Sequence, residues 1–191
     1  MEAGTETLRN TGIDTGKIGM WWFLASEITV FGGLIASYIV TRLGGSGWSE
    51  AASHLNLPLA LLNTFVLLTS SLTMVLAFAG VEDKKPRMVR NSLALTILLG
   101  FVFLIVKGFE YASEIGHGFT PASGIFWSFY FVMTGLHALH VLGGIVANTV
   151  LFIAVLRDVL KPNEHRIELV GLYWHFVDIV WIFLLPLLYL N

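Results

Sequence analysis

Residues 18–41 read IGMWWFLASEITVFGGLIASYIVT, an unbroken apolar stretch that carries one charged side chain, Glu27. A bilayer core about 30 Å thick is crossed by roughly 20 helical residues, so this run is long enough to span it. Four more such runs follow: 57–81, with Asn56 placed to cap it and Pro58 in its opening turn, then 91–114, 123–156 and 167–190. Between them lie the Gly-rich LGGSG, the charged EDKKPR, the loop GHGFTP and the polar RDVLKPNEHR. The expectation is an all-α, polytopic membrane protein, in which residues 18–191 form a single bundle of five transmembrane helices behind a short polar tail, residues 1–17. The 34 positions of the fourth run extend about 50 Å as a helix. That excess predicts a tilt, a kink near Gly143 and Gly144, or an extension into water.

Composition agrees with a membrane class: 55% of the 191 residues are hydrophobic and 13% charged, with a mean hydropathy of +0.76. Nothing in the chain has the character of a nucleic-acid-binding surface. The absence of cysteine excludes disulfides, thiolate-held iron-sulfur clusters, covalent haem attachment through Cys-x-x-Cys-His and thiolate copper sites. The opening MEAGTETLRNTGIDTGK is polar and acidic, unlike a secretory signal, and is read as a tail that stays inside. That placement assigns Arg9, Lys17, Lys84, Lys85, Arg87, Arg90, Arg157, Lys161 and Arg166 to the cytoplasmic side, leaving Arg42 outside and Lys107 within a span. The asymmetry satisfies the positive-inside rule and puts the C-terminus outside. Trp48, Trp127 and Tyr189 are expected at the interfaces as an aromatic belt, a role Trp21 and Trp22 fit equally. No internal repeat is evident, against a transporter of inverted halves.

Polar groups inside the spans are the candidate functional residues. Glu27 sits roughly 15 Å into the first span, near the midplane. An isolated carboxylate there costs several kcal/mol, so it must face protein, water or a partner. Two readings stand: a proton-exchanging or ligand-contacting acid, and a protonated, hydrogen-bonded packing residue. In the third span Lys107, Glu110, Tyr111 and Glu114 share one face. A neutralised Lys107–Glu110 ion pair is the simpler account, with the lysine reaching for the interface. His137 and His140 lie three apart on the fourth span, and His175 and Asp178 repeat that spacing on the fifth. A helical metal site calls for Glu-x-x-His pairs with further carboxylates, a pattern missing here, so no metal is assigned. Both pairs are expected to serve as interhelical hydrogen-bonding groups, His175 and Asp178 partnering each other. Gly32 with Ala36, Gly33 with Ser37 and Gly143 with Ala147 make small-residue faces, and Asn63, Thr64, Thr69, Ser70, Ser71 and Thr73 add polar glue on the second span. Together they imply an intramembrane partner.

At these residues the chain resembles a known family. GMWWFLASEITVFGGLIASYIVTR, LNTFVLLTSSLT, KGFEY, FVMTGLHALHVLGG and LYWHFVDIVWIFLLPLLYL are similar, in the same order, to blocks of subunit III of cytochrome c oxidases, from about Gly19 to the C-terminus. The resemblance implies a subunit with no cofactor of its own. Haem and copper would sit in subunits I and II. It would pack directly against subunit I, with subunits II and IV as further partners, support proton uptake and sustained turnover, hold phospholipid near Glu27, and join a respiratory supercomplex. Long members have seven spans; this chain resembles the short form starting at the third, which puts their lipid cleft in doubt and points to a bacterial plasma membrane. Subunit III of a quinol oxidase and a nitric oxide reductase accessory protein are alternatives within the superfamily. A small proton channel relaying through Glu27, Glu110 and Asp178 is the alternative from another class, and it requires a connected polar path.

Overall fold

The computed structural model describes residues 15–45, 47–157 and 165–190. Arg9, Lys161, most of the expected tail and the C-terminal Asn191 lie outside them. The described residues form helices and connecting turns with no strand: α1 Thr15–Leu43, α2 Trp48–Ser53, α3 Leu57–Glu82, α4 Pro86–Gly116, α5 Ile125–Leu156 and α6 His165–Tyr189. Five of these, all but α2, are long and apolar enough to cross a membrane.

Helix ends follow local chemistry. The Asn56 side chain accepts from the Leu59 N–H at 3.0 Å and caps α3, with Pro58 in the first turn. α3 ends with Lys84 in the left-handed region at φ 53°, the Lys85 N–H reaching back to the Gly80 carbonyl at 2.8 Å. α4 then starts at once on Pro86, inside the charged EDKKPR and ahead of the expected start at 91, because proline's fixed φ and missing N–H suit a first helical position. α4 closes the same way on Gly118 at φ 88°, the Phe119 N–H bonded to the Glu114 carbonyl at 3.0 Å.

Within a bilayer, helices gain nothing by hiding apolar surface from lipid, so close packing and hydrogen bonds hold the bundle. α3 and α4 form a tight hairpin in which Gly80 faces Val89 and the Thr73 and Thr96 hydroxyls bond at 2.7 Å. α6 is the most buried span and α1 the least. Trp174 and Trp181 of α6 are fully enclosed and donate their indole N–H groups to Ser70 at 3.0 Å and Thr64 at 2.8 Å on α3. That use absorbs part of the polar glue on the second span.

α5 runs uninterrupted from Ile125 to Leu156, and its glycines serve close approach: a Cβ on Gly144 would meet the Trp174 ring at 2.5 Å, and one on Gly143 the Tyr173 hydroxyl at 3.3 Å. Trp48, Trp127 and Tyr189 form no belt, since all three are buried. The short α2 folds Trp48 onto Tyr38, Phe126 and Phe129, while Phe119 stacks flat on Trp127 at 4.2 Å. Trp21 and Trp22, at the other end, are exposed.

Candidate functional site

Polar contacts fasten α1 to the bundle along its length. Near its start Lys17 pairs with Glu168 of α6 at 2.7 Å. Near its end the Tyr38 hydroxyl donates to the Leu187 carbonyl at 2.6 Å. Between them Glu27 meets His140 of α5, Oε2 to Nε2 at 3.0 Å, with about one-sixth of each side chain exposed. Aromatic contacts of Phe31 with His140 and of Phe23 with Tyr173 fill the seam, and the Tyr173 hydroxyl donates to the His140 carbonyl at 2.9 Å.

The donor and acceptor inventory fixes the proton count of this contact. His140 Nδ1 lies 2.8 Å from the Leu136 carbonyl, an oxygen that can only accept, so Nδ1 carries a hydrogen. Nε2 of the neutral ring is then an acceptor. Its contact with Glu27 needs one proton between them, on the carboxyl or on the ring. In either arrangement the pair is neutral overall, which is how a carboxyl group tolerates the depth of Glu27.

A second cluster lies toward the end of the bundle that carries α2. Lys107 and Glu110 pair at 3.2 Å with almost no exposure. The Lys107 ammonium also reaches the Tyr130 hydroxyl at 3.2 Å and that of Tyr189 at 2.5 Å. It stands 4.9–5.6 Å from the ring centroids of Tyr111, Tyr130, Trp181 and Tyr189. Glu110 Oε1 accepts from both Tyr130, at 2.8 Å, and Tyr189. Lysine therefore does not reach for the interface; aromatic faces and a carboxylate from three helices replace water around it. Tyr111 turns aside to the Thr134 hydroxyl at 2.5 Å.

The remaining predicted residues do not pair as expected. His175 Nδ1 bonds to the Ser71 hydroxyl of α3 at 2.7 Å. Asp178 is buried, with Ser71 as its hydrogen-bonding neighbour. Spacing of three places the two on neighbouring positions, but Asp178 sits on the buried face with Trp174 and Trp181 while His175 lies at its edge. His137 makes no hydrogen bond: its ring lies against the Trp181 indole at 5.3 Å and edge-on to Phe103 at 5.5 Å. Asn63 Oδ1, Glu114 Oε2 and Asn148 Oδ1 are likewise buried without partners. Each such group costs about 1–3 kcal/mol if left dry. Among the described residues no three of His, Asp and Glu gather closely enough to hold a metal ion.

Small-residue faces divide in two. A Cβ on Gly32 or Gly33 would meet nothing within 4 Å, so the face of α1 is open in this chain, whereas Gly100 and Gly144 lie against side chains of neighbouring helices. Beside α1, Leu34, Ile125, Ser128, Phe129 and Val132 line an apolar cavity of about 460 Å³.

A family model described as cytochrome c oxidase subunit III matches residues 1–191. The chain is 39% identical over 177 residues to a Corynebacterium diphtheriae protein named cytochrome c oxidase subunit 3, covering 91% of this chain and 86% of that one. It is 35% identical over 191 residues to a Staphylococcus saprophyticus protein named probable quinol oxidase subunit 3, covering 99% and 95%. A Staphylococcus haemolyticus protein of that name is 37% identical over 176 residues, covering 91% and 88%.

Proposed function

Because the chain belongs to the cytochrome c oxidase subunit III family of the haem-copper oxidases, we propose that it is the non-redox third core subunit of a bacterial cytochrome c oxidase. In that role it packs in the membrane against catalytic subunit I and supports proton uptake and sustained oxygen reduction. The observation that carries this reading is the match along the whole chain, joined to a relative of that name at 39% identity. Haem and copper belong to subunits I and II in this reading, subunit IV is a further neighbour, and phospholipid sits against α1 near Glu27.

The printed names of the staphylococcal relatives favour a second reading, a quinol oxidase, in which the same chain serves a complex with a different electron donor. The charge asymmetry of the loops supports an inside N-terminus and an outside C-terminus in the plasma membrane. Purification through a tag on this chain in gentle detergent, with an absorption spectrum and mass identification of what accompanies it, tests the proposal. Haem bands arriving with a large oxidase subunit and a cytochrome-binding subunit II are expected; a colourless solitary chain would overturn it. Deleting the chain is expected to shorten turnover lifetime without abolishing oxygen reduction, and complete loss in an intact remaining complex would contradict the supporting role.

A further inference from the structure

We propose that the interior of α3–α6 binds water between His137 and Asn63. All four helices meet at one level there. Phe103 of α4 takes the Asn63 amide N–H on its carbonyl at 3.2 Å and sets its ring against Trp181 of α6 at 5.1 Å. His137 of α5 lies on that indole at 5.3 Å and against Phe103 at 5.5 Å. Asp178 precedes Trp181 by one turn on the same buried face of α6. His137 is 1% exposed, Asn63 0% and Asp178 4%. Both ring nitrogens and Asn63 Oδ1 lack a partner in the protein.

The chemistry of these atoms matches water and little else. A neutral imidazole presents one N–H donor and one nitrogen acceptor, and the amide oxygen presents an acceptor. A water that accepts from the imidazole N–H and donates to Asn63 Oδ1 answers both, and its second hydrogen is free for a neighbour. The other ring nitrogen calls for a further water, since buried waters typically make about three hydrogen bonds. Ser71 stands beside Asp178 as a hydrogen-bonding neighbour and lies 2.7 Å from His175 Nδ1, so Asp178 is served from α3. On the other side of Trp181 stands the Lys107 ammonium, 5.1 Å from the ring. The inference holds whichever electron donor the complex uses.

The test is a cryo-electron microscopy map of the purified complex at a resolution where ordered waters are visible in its other subunits. Density at hydrogen-bonding distance from a His137 ring nitrogen and from Asn63 Oδ1 is expected. An empty, dry contact at that level, with waters resolved elsewhere, would overturn the proposal. His137→Phe gives an independent sign test, because it keeps the ring on Trp181 and removes both nitrogens. A hydrated site loses its water's partner and the thermal midpoint of the chain within the complex falls by several degrees. A dry site sheds two desolvated nitrogens, so an unchanged or raised midpoint would count against bound water.

Discussion

Replacing Lys107 by methionine keeps the length of the side chain and removes the ammonium. That group has 3% exposure, one carboxylate, two phenol hydroxyls and four aromatic faces around it. Without it Glu110 keeps the two O–H donors of Tyr130 and Tyr189 but faces no cation in a buried interior. Removing one partner of such a pair costs about 3–5 kcal/mol, while replacing both by neutral groups of similar shape is often close to neutral. The companion Glu110→Gln still offers a carbonyl oxygen to both tyrosines. Lys107→Met alone is therefore expected to be severely destabilising, and Lys107→Met with Glu110→Gln to recover most of the loss, a coupling of at least about 2 kcal/mol. Reversible unfolding in mixed micelles, followed by tryptophan fluorescence because Trp181 lies against the cluster, measures the cycle. A single-variant cost under about 1 kcal/mol, or a double variant no better than Lys107→Met, would refute the reasoning that this is a buried, charged pair.

Glu27→Gln keeps a donor facing His140 Nε2 and should leave assembly and haem spectra unchanged. Glu27→Leu strands that nitrogen and should loosen α1 by about 1–3 kcal/mol; a lost or shifted haem band in either variant, or no difference between them in chain retention, would contradict this. Gly144→Ala drives a methyl into the Trp174 ring, which is fixed by its bond to Ser70, at about 1–3 kcal/mol. Gly33→Ala in open space should change the chain's own unfolding little, and equal effects would refute the packing argument. Since the chain has no cysteine, a single Ser123→Cys should react with an impermeant thiol reagent in intact cells and Lys84→Cys only after lysis; the reverse pattern would invert the topology.

The spans were legible because each run exceeds the bilayer requirement and ends in charge or glycine. Two boundaries were hidden. Pro86 reads as a stop when met after EDKK, yet the same ring opens α4, and α2 is too short for any periodicity to show. Glu27, Lys107, Glu110, His137, His140, His175 and Asp178 stood out as polar residues in apolar runs, and sequence spacing brought Lys107 to Glu110 within one helix. Partners across helices were not legible. His140 reaches Glu27, His175 reaches Ser71, and the hydroxyls of Tyr130 and Tyr189 close on Glu110, all from segments set by packing. Tyr189 was placed at the interface because a terminal tyrosine usually anchors there; its burial depends on the lysine it serves. The open face of Gly32 and Gly33 repeats the lesson in reverse, since a small-residue stripe signals close approach without saying whose helix approaches.

The seating of α1 also orders events during synthesis. α3 and α4 can close as a hairpin as soon as both have left the ribosome, their hydroxyls and glycine already facing each other. α1, made before them, has no such neighbour. Its polar contacts reach His140 of α5 and Glu168 and Leu187 of α6, so α1 docks only after these later-translated helices. Through that interval Glu27 waits in the membrane without its histidine. The nascent protein must therefore pass through a stage in which one helix carries an acid without the histidine that meets it in the folded chain.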